Sequence, residues 1–241
     1  MAAYDPIAAI YDRYWGPFAR RRFAPFLAQQ VLPRLPSGAR LLDLGCGTGQ
    51  IAAWLVEQGY RVVGVDLSEA MIRHARQRAP RAHFVVQDMR HLSVSGPFDA
   101  AFALFATLNH LPDDRALRRV FRRVYAALAP GGWFGFDVNT AAGFRQRWQS
   151  TETVVEDDFV LVSRGQYDPQ TRTARTRITA FVPGPQGWTR VDTELHHWPH
   201  EVAATRAALQ AAGFAVPEVH EHASGPGAGR AFFLAQKPPA A

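Results

Sequence analysis

Lysine is almost missing from this 241-residue chain: 26 of its 27 cationic residues are arginine, and Lys237 is the exception. Cysteine is scarcer still. Cys46 stands alone, which excludes an intrachain disulfide and suits a reducing compartment. Its place between two glycines reads as a small filler rather than a nucleophile. No apolar run reaches the ~20 residues that a membrane span needs, and the opening Met-Ala-Ala-Tyr-Asp-Pro lacks the charged start and apolar core of a secretory signal. The sequence therefore reads as a cytoplasmic chain without a membrane partner. Internal repeats are absent as well. A net charge of +6 admits a nucleic-acid partner, but no aromatic RNP stretch or KH loop accompanies it. Many arginines fall on the polar sides of predicted helices, among them Arg73, Arg76, Arg78, Arg118, Arg119, Arg122 and Arg123, which reads as a solvated face. At this length one α/β domain with an insertion is expected.

What is present is concentrated in Leu41 to Gln50, reading Leu-Leu-Asp-Leu-Gly-Cys-Gly-Thr-Gly-Gln. An apolar run stops at three glycines and is followed at once by Ile51-Ala-Ala-Trp-Leu-Val with helical spacing, so the stretch predicts a buried strand, a tight turn and a helix. Glycine at 45, 47 and 49 frees the turn dihedrals and removes side chains that would hold a ligand away, while free N–H groups face outward at the helix start. A dinucleotide fingerprint needs G-x-G-x-x-G, and a phosphate-binding loop needs Lys-Ser/Thr after its last glycine. Neither is present. Asp43 at the strand end would repel a pyrophosphate and instead suits a cationic ligand, such as the ammonium and sulfonium of S-adenosylmethionine.

This stretch resembles the first motif of the class I S-adenosylmethionine-dependent methyltransferases, and the order of the downstream segments strengthens the resemblance. Arg61-Val-Val-Gly-Val-Asp66 reads as a second buried strand closing on an acid, 21 residues beyond Gly45. There the resemblance places a carboxylate on the ribose hydroxyls. Ser68 is better placed to cap the helix predicted from Glu69 to Ala79. His83 to Met89 reads as a third strand ending in Asp88, which by the resemblance meets the adenine amino group, with Met89 beside the ring. Phe98 to Phe105 is a fourth strand. After it come a helix capped at Asp113, a Leu-x-Pro-Gly-Gly turn at 128–132 and a fifth strand, Trp133 to Asn139. The cofactor site so implied comprises Tyr11, Asp43, Gly45, Cys46, Gly47, Gly49, Asp66, Leu67, Met71, Asp88, Met89 and Leu104.

The start of the chain carries apolar positions Ile7, Ile10, Tyr11, Tyr14 and Trp15 at intervals of three and four, which predicts an amphipathic helix laid over the main domain. A comparable Tyr-Asp-x-x-Ala-x-x-Tyr-Asp segment begins the sugar-amine and glycine N-methylating members of the family, where it closes over the cofactor. Tyr4, Tyr11 and Tyr14 thereby become pocket candidates, Tyr14 as a catalytic one. His110, in a stretch similar to one in the sugar-amine N-methyltransferases, becomes the candidate base, expected to titrate near its unperturbed ~6.5.

From Thr153 the texture changes to polar and apolar alternation over Phe159–Ser163, Thr171–Val182 and Trp188–Leu195, an antiparallel sheet inserted after strand five. Helical periodicity returns over Glu201–Ala212 and is followed by strands Phe214–His222 and Ala231–Gln236, with Ser224 to Gly229 as a glycine-rich turn between them. The fold implied is α/β: a Rossmann-like, seven-stranded, mostly parallel sheet with helices on both faces and an antiparallel β lid after strand five. The expected divisions are 1–150 for the cap helix and cofactor-binding core, 151–200 for the lid and 201–241 for the rest of the core. His196, His197, His200, His220 and His222 lack the cysteine partners or helical His-x-x-x-His spacing of a metal site, so no metal is expected. The activity implied is methyl transfer from S-adenosylmethionine, leaving S-adenosylhomocysteine, to a small-molecule amine or hydroxyl. An RNA or protein methyltransferase and a non-catalytic cofactor-binding protein are the alternatives.

Overall fold

The computed structural model describes residues 2–184, 187–222 and 228–240. The chain begins with a turn of 3-10 helix, Asp5–Ile7, then α1 (Ala8–Arg13) and α2 (Trp15–Phe26), so the single cap helix expected from the periodicity is broken at Tyr14, where φ is -102° and ψ -64°. The apolar run at the motif forms β1 (Arg40–Leu44), and its glycine turn leads into α3 (Gln50–Glu57). Next come β2 (Arg61–Asp66), α4 (Glu69–Arg78), β3 (His83–Val86), β4 (Phe98–Ala103), α5 (Asp114–Ala127) and β5 (Leu128–Asn139). Both predicted caps form: Ser68 Oγ accepts from Met71 N at 3.1 Å, and Asp113 Oδ1 accepts from Ala116 N at 2.7 Å, each satisfying an orphan donor of the first turn. The Pro-Gly-Gly expected as a turn lies inside β5, because Leu128 already pairs with Phe98 before a register shift.

A short helix that the periodicity does not indicate, α6 (Ala141–Arg147), precedes the insertion. The insertion is a four-stranded antiparallel sheet of β6 (Thr151–Glu156), β7 (Phe159–Asp168), β8 (Thr173–Gly184) and β9 (Gly187–His197), one strand more than the alternation indicates. β6 escapes the pattern because its residues are almost all exposed and carry no buried face. After α7 (Val202–Ala211), β10 (Glu218–His222) and β11 (Arg230–Gln236) complete the main sheet. β10 begins later than expected because Phe214 is packed against Tyr125 and Phe134 instead of entering the sheet. The turn expected over 224–229 lies for the most part outside the described residues.

The main sheet has the order β10-β11-β5-β4-β1-β2-β3; β1 to β5 run parallel, and β11 and β10 form the reversed hairpin at one edge. The strand period of two sends Leu42 and Leu44 to the face covered by α5 and α7, and Leu41 to the face covered by α2, α3 and α4. A third apolar cluster joins Ile7 and Ile10 of the N-terminal segment to Phe159, Leu161, Ile178, Ala180 and Leu195 of the inserted sheet. Its burial fastens that sheet over the carboxyl ends of the parallel strands. Among the described residues no helix is long and apolar enough to cross a membrane.

Candidate active site

Parallel strands deliver their carboxyl ends to one edge, and there a cavity of about 550 Å³ opens between the main sheet, the N-terminal segment and the inserted sheet. Gly45 and Gly47 form its floor, while Asp66, Leu67, Met71, Asp88 and Met89 line one flank. Gly47 has a φ of +53°, which strains any residue with a Cβ, and at Gly45 (φ +65°) a Cβ would meet Thr107 Cγ2 at 2.5 Å, so the turn is built for glycine. Asp66 closes β2 with both oxygens engaged: Oδ2 accepts from Gly47 N and Oδ1 from Ser68 N, each at 2.9 Å. Burial raises its pKa against these backbone hydrogen bonds. At Asp88 burial also pushes upward, but the hydrogen bonds of Arg90, with Nη2 at 2.6 Å from Oδ2, outweigh it and hold the carboxyl below the usual range.

Asp43 is turned the other way. It shares the face of Leu41, so it points under α2 and is only 4% exposed. With Cys46 and Leu104 it lines a small void of about 30 Å³ that shares Tyr11, Gly45 and Phe105 with the larger cavity. Its Oδ2 has no hydrogen-bond partner among the described residues. Burial, with Asp66 nearby, raises its pKa to about 7. A buried carboxyl oxygen left without a donor beside this glycine floor fits a ligand bringing its own positive charge.

The cover over this floor is held at several points. Ser68 Oγ donates to Asp5 Oδ1 at 2.5 Å, Thr193 Oγ1 donates to the Ala3 carbonyl at 2.7 Å, and Tyr4 lies edge-on to both Tyr11 and His110. His110 Nδ1 lies 3.0 Å from the His196 carbonyl, which can only accept, so this nitrogen carries the proton and Nε2 accepts from the Tyr4 hydroxyl at 3.0 Å. Burial lowers the His110 pKa from 6.5 to about 4 despite the carbonyl, which corrects the expectation of titration near neutrality. His197 packs on it at 4.3 Å and is likewise held neutral, by burial and then by His110. Just beyond β4 come two non-glycine residues with left-handed backbone, Phe105 at φ +63° and Ala106 at φ +59°. Asp137 Oδ2 holds this bend by accepting from Ala106 N at 3.0 Å.

The methyltransferase domain family matches residues 41–132, from the first strand through the Pro-Gly-Gly stretch. The dTDP-3-amino-3,4,6-trideoxy-alpha-D-glucopyranose N,N-dimethyltransferase of Streptomyces venezuelae is 27% identical over 86% of this chain and 87% of that protein. The crystal structure of Streptomyces venezuelae DesVI (28% identity, TM-score 0.78, covering 97% and 98% of the two chains) and the structure of S-adenosylmethionine-bound CalS10, an amino pentose methyltransferase from Micromonospora echinaspora (26%, 0.75, 95% and 96%), share the architecture. The chain carries a methyltransferase domain and is an S-adenosylmethionine-dependent methyltransferase. Its cofactor is S-adenosylmethionine, and the seven-stranded sheet with its antiparallel insertion is the fold expected of the family.

Of the candidate residues, this methyltransferase gathers Tyr11, Gly45, Gly47, Asp66, Leu67, Met71, Asp88, Met89 and His110 around the large cavity. It leaves Asp43, Cys46 and Leu104 on the adjoining void. Gly49 touches neither: it starts α3 at φ +76°, and a Cβ there would meet Ala75 at 3.0 Å, so its small size serves the approach of α3 to α4. Tyr14 also lies off the cavity wall. Beyond the break in the cap helix its hydroxyl donates to Glu152 Oε1 at 2.9 Å, and it is Glu152 that lines the cavity, so the catalytic placement expected of Tyr14 is corrected to a contact through the inserted sheet. Sequence reasoning missed Arg147, Arg230, Trp148 and Asn109. Asn109 is fully buried and ties the loop after β4 to Asn139 and Trp198 through three hydrogen bonds. Among the described residues no group of three or more histidine, cysteine or acidic side chains is arranged to hold a metal.

Proposed function

We propose that this methyltransferase methylates an amine of a small molecule enclosed between the main sheet and the inserted sheet. The observation that carries the reading is the cover over the cavity: residues of the N-terminal segment and of the strands β7 to β9 line it together with the glycine floor. A pocket of this kind suits a small acceptor better than a folded macromolecule. The sugar-amine acceptors in the names of the relatives point the same way.

S-adenosylmethionine supplies an electrophilic methyl group when bound. On this reading Gly45 and Gly47 let its amino-acid part approach the backbone, Asp43 answers its positive charge, and Asp66 offers its remaining lone pairs to the ribose. Met71, Leu67 and Met89 give the adenine an apolar flank, with Asp88 at its edge. A displacement at carbon needs the nucleophile held in line at near-attack distance with water kept out, and the two-sided cover provides both. His110 is a neutral imidazole too weakly basic to be a strong proton acceptor at neutral pH, so its part is to hold the Tyr4 hydroxyl over the cavity. Glu152 faces the same space and is available to an acceptor ammonium before it loses its proton.

The test is mass spectrometry of a panel of amino sugars, other amines and phenols after incubation with S-adenosylmethionine and the protein. Gain of one methyl on an amine, with S-adenosylhomocysteine released in equal amount, is the expected result. Methylation of phenols alone, or of added RNA, would overturn it.

A further inference from the structure

The electrostatics of the cavity are divided by β4. On the β2 and β3 side stand Asp66 and Asp88, the second paired with Arg90; on the β5 and β11 side stand Arg147 and Arg230, both on the cavity wall. Arg230 is 6% exposed, with Nη1 3.4 Å from Oδ2 of the fully buried Asp137. That carboxylate already accepts from Ala106 N and, among the described residues, is the one acid acting on Arg147 and Arg22, yet three guanidinium groups act on one another there. Burial, then Arg230 and Arg22, lower the pKa of Arg147 to about 10, and burial and Arg230 lower that of Arg22. Arg147 Nη2 donates to Asn139 Oδ1, and Arg230 Nε reaches the same oxygen at 3.4 Å. Nε of Arg147 has no partner among the described residues. The stretch 223–227, next to Arg230 in sequence, is Ala-Ser-Gly-Pro-Gly and contains no acid that could balance the cluster.

Three cations around one carboxylate leave an excess of positive charge in a place where charges are paired or costly. A guanidinium is also the side chain best shaped to grip a carboxylate or phosphate through two hydrogen bonds. We propose that the methyl acceptor carries an anionic group, a carboxylate or a phosphate, and that Arg147 and Arg230 seat it at the β5 end of the cavity. The acceptor then lies with its anion beyond the bend at Phe105 and its nucleophile toward the glycine floor, while the acidic side of the cavity is left to the cationic cofactor. The proposal rests on the methyltransferase reading.

The test uses the whole protein saturated with S-adenosylhomocysteine, titrated calorimetrically with citrate, with glucose 1-phosphate and with glucose. At least one anion is expected to bind wild type more tightly than glucose does. Its affinity should fall roughly tenfold or more in Arg147→Gln and recover in part in Arg147→Lys, with S-adenosylhomocysteine affinity unchanged in both. Binding of citrate alone assigns a carboxylate, and of glucose 1-phosphate alone a phosphate; binding of both supports the shared anion site. Anion binding no tighter than that of glucose, or binding retained in Arg147→Gln, overturns the proposal. Wild type that fails to bind S-adenosylhomocysteine would instead sink the methyltransferase reading.

Discussion

Replacing His110 with asparagine isolates one proton. In the native chain the ring is held neutral, its pKa lowered by burial from 6.5 to about 4, with Nδ1–H committed to the His196 carbonyl and Nε2 to the Tyr4 hydroxyl. Between those two values the unfolded chain binds a proton on this ring and the native chain does not, so the unfolded state gains as acid is added. The stabilisation is therefore complete above about 6.5 and is lost as the pH falls toward about 4. A shift of this size corresponds to about 3 kcal/mol. Wild type alone would not reveal it cleanly. Asp43, raised to about 7, works in the opposite sense, losing stability as the pH rises through the same window, while His197 and His200 add to the effect of His110. The difference between wild type and His110→Asn removes the contributions of Asp43 and His200 and the part of the His197 shift that comes from burial. At neutral pH the variant should be less stable by about 1–3 kcal/mol, the range for hydrogen bonds left unmade in a buried site. As the pH is lowered the gap should close and then reverse. Urea unfolding of both proteins at stepped pH is the assay. A gap that stays constant from about pH 7 to about pH 4 would refute a neutral, buried imidazole, as would a turnover limb near 6.5 that disappears in the variant.

Gly47→Val should abolish binding of S-adenosylmethionine in calorimetry, because a branched side chain would press on Tyr11 at 3.4 Å and resist a φ of +53°. Asp66→Ala should weaken cofactor binding by about 1.5–3 kcal/mol. It should also lower the melting temperature, since Gly47 N and Ser68 N lose their acceptor; affinity unchanged in the face of reduced stability would leave Asp66 with a structural part alone. Asn109→Ala should cost about 2–4 kcal/mol in urea unfolding by leaving the Asn139 amide and the Trp198 carbonyl without the side chain that pairs them, with cofactor affinity little changed in the protein that folds.

The part of the site built from strand, turn and helix within a short span was legible in the sequence. Gly45, Gly47 and Asp66 were readable because the turn geometry and the end of the next strand are written in adjacent residues. The facing of Asp43 was readable in principle from the alternation that places it with Leu41, but only the structure shows α2 covering that face. Tyr14 was misplaced because helical spacing shows which side of the segment it shares with Tyr11 but not that Glu152 of the inserted sheet takes up its hydroxyl. Arg147 and Arg230 could not be found from sequence: they are one arginine each among 26, brought together from the end of α6 and the start of β11 on the side chain of Asn139. Their meaning lies in charge balance across the sheet, which no local pattern records.

The left-handed pair that closes β4 also sets an unusual tolerance to substitution. Elsewhere in this core, exchanging a buried alanine for glycine loosens the chain and costs stability, whereas a larger aliphatic residue is at worst a packing problem. At Ala106, 5% exposed and at φ +59°, the order is inverted. Glycine relieves a backbone strain of about 1–2 kcal/mol and valine or isoleucine, with branching at Cβ, adds to it. Diversity introduced into the acceptor pocket is therefore better carried by the side chains of the inserted sheet, where the backbone is ordinary, than by this bend, where the variants that fold will be small.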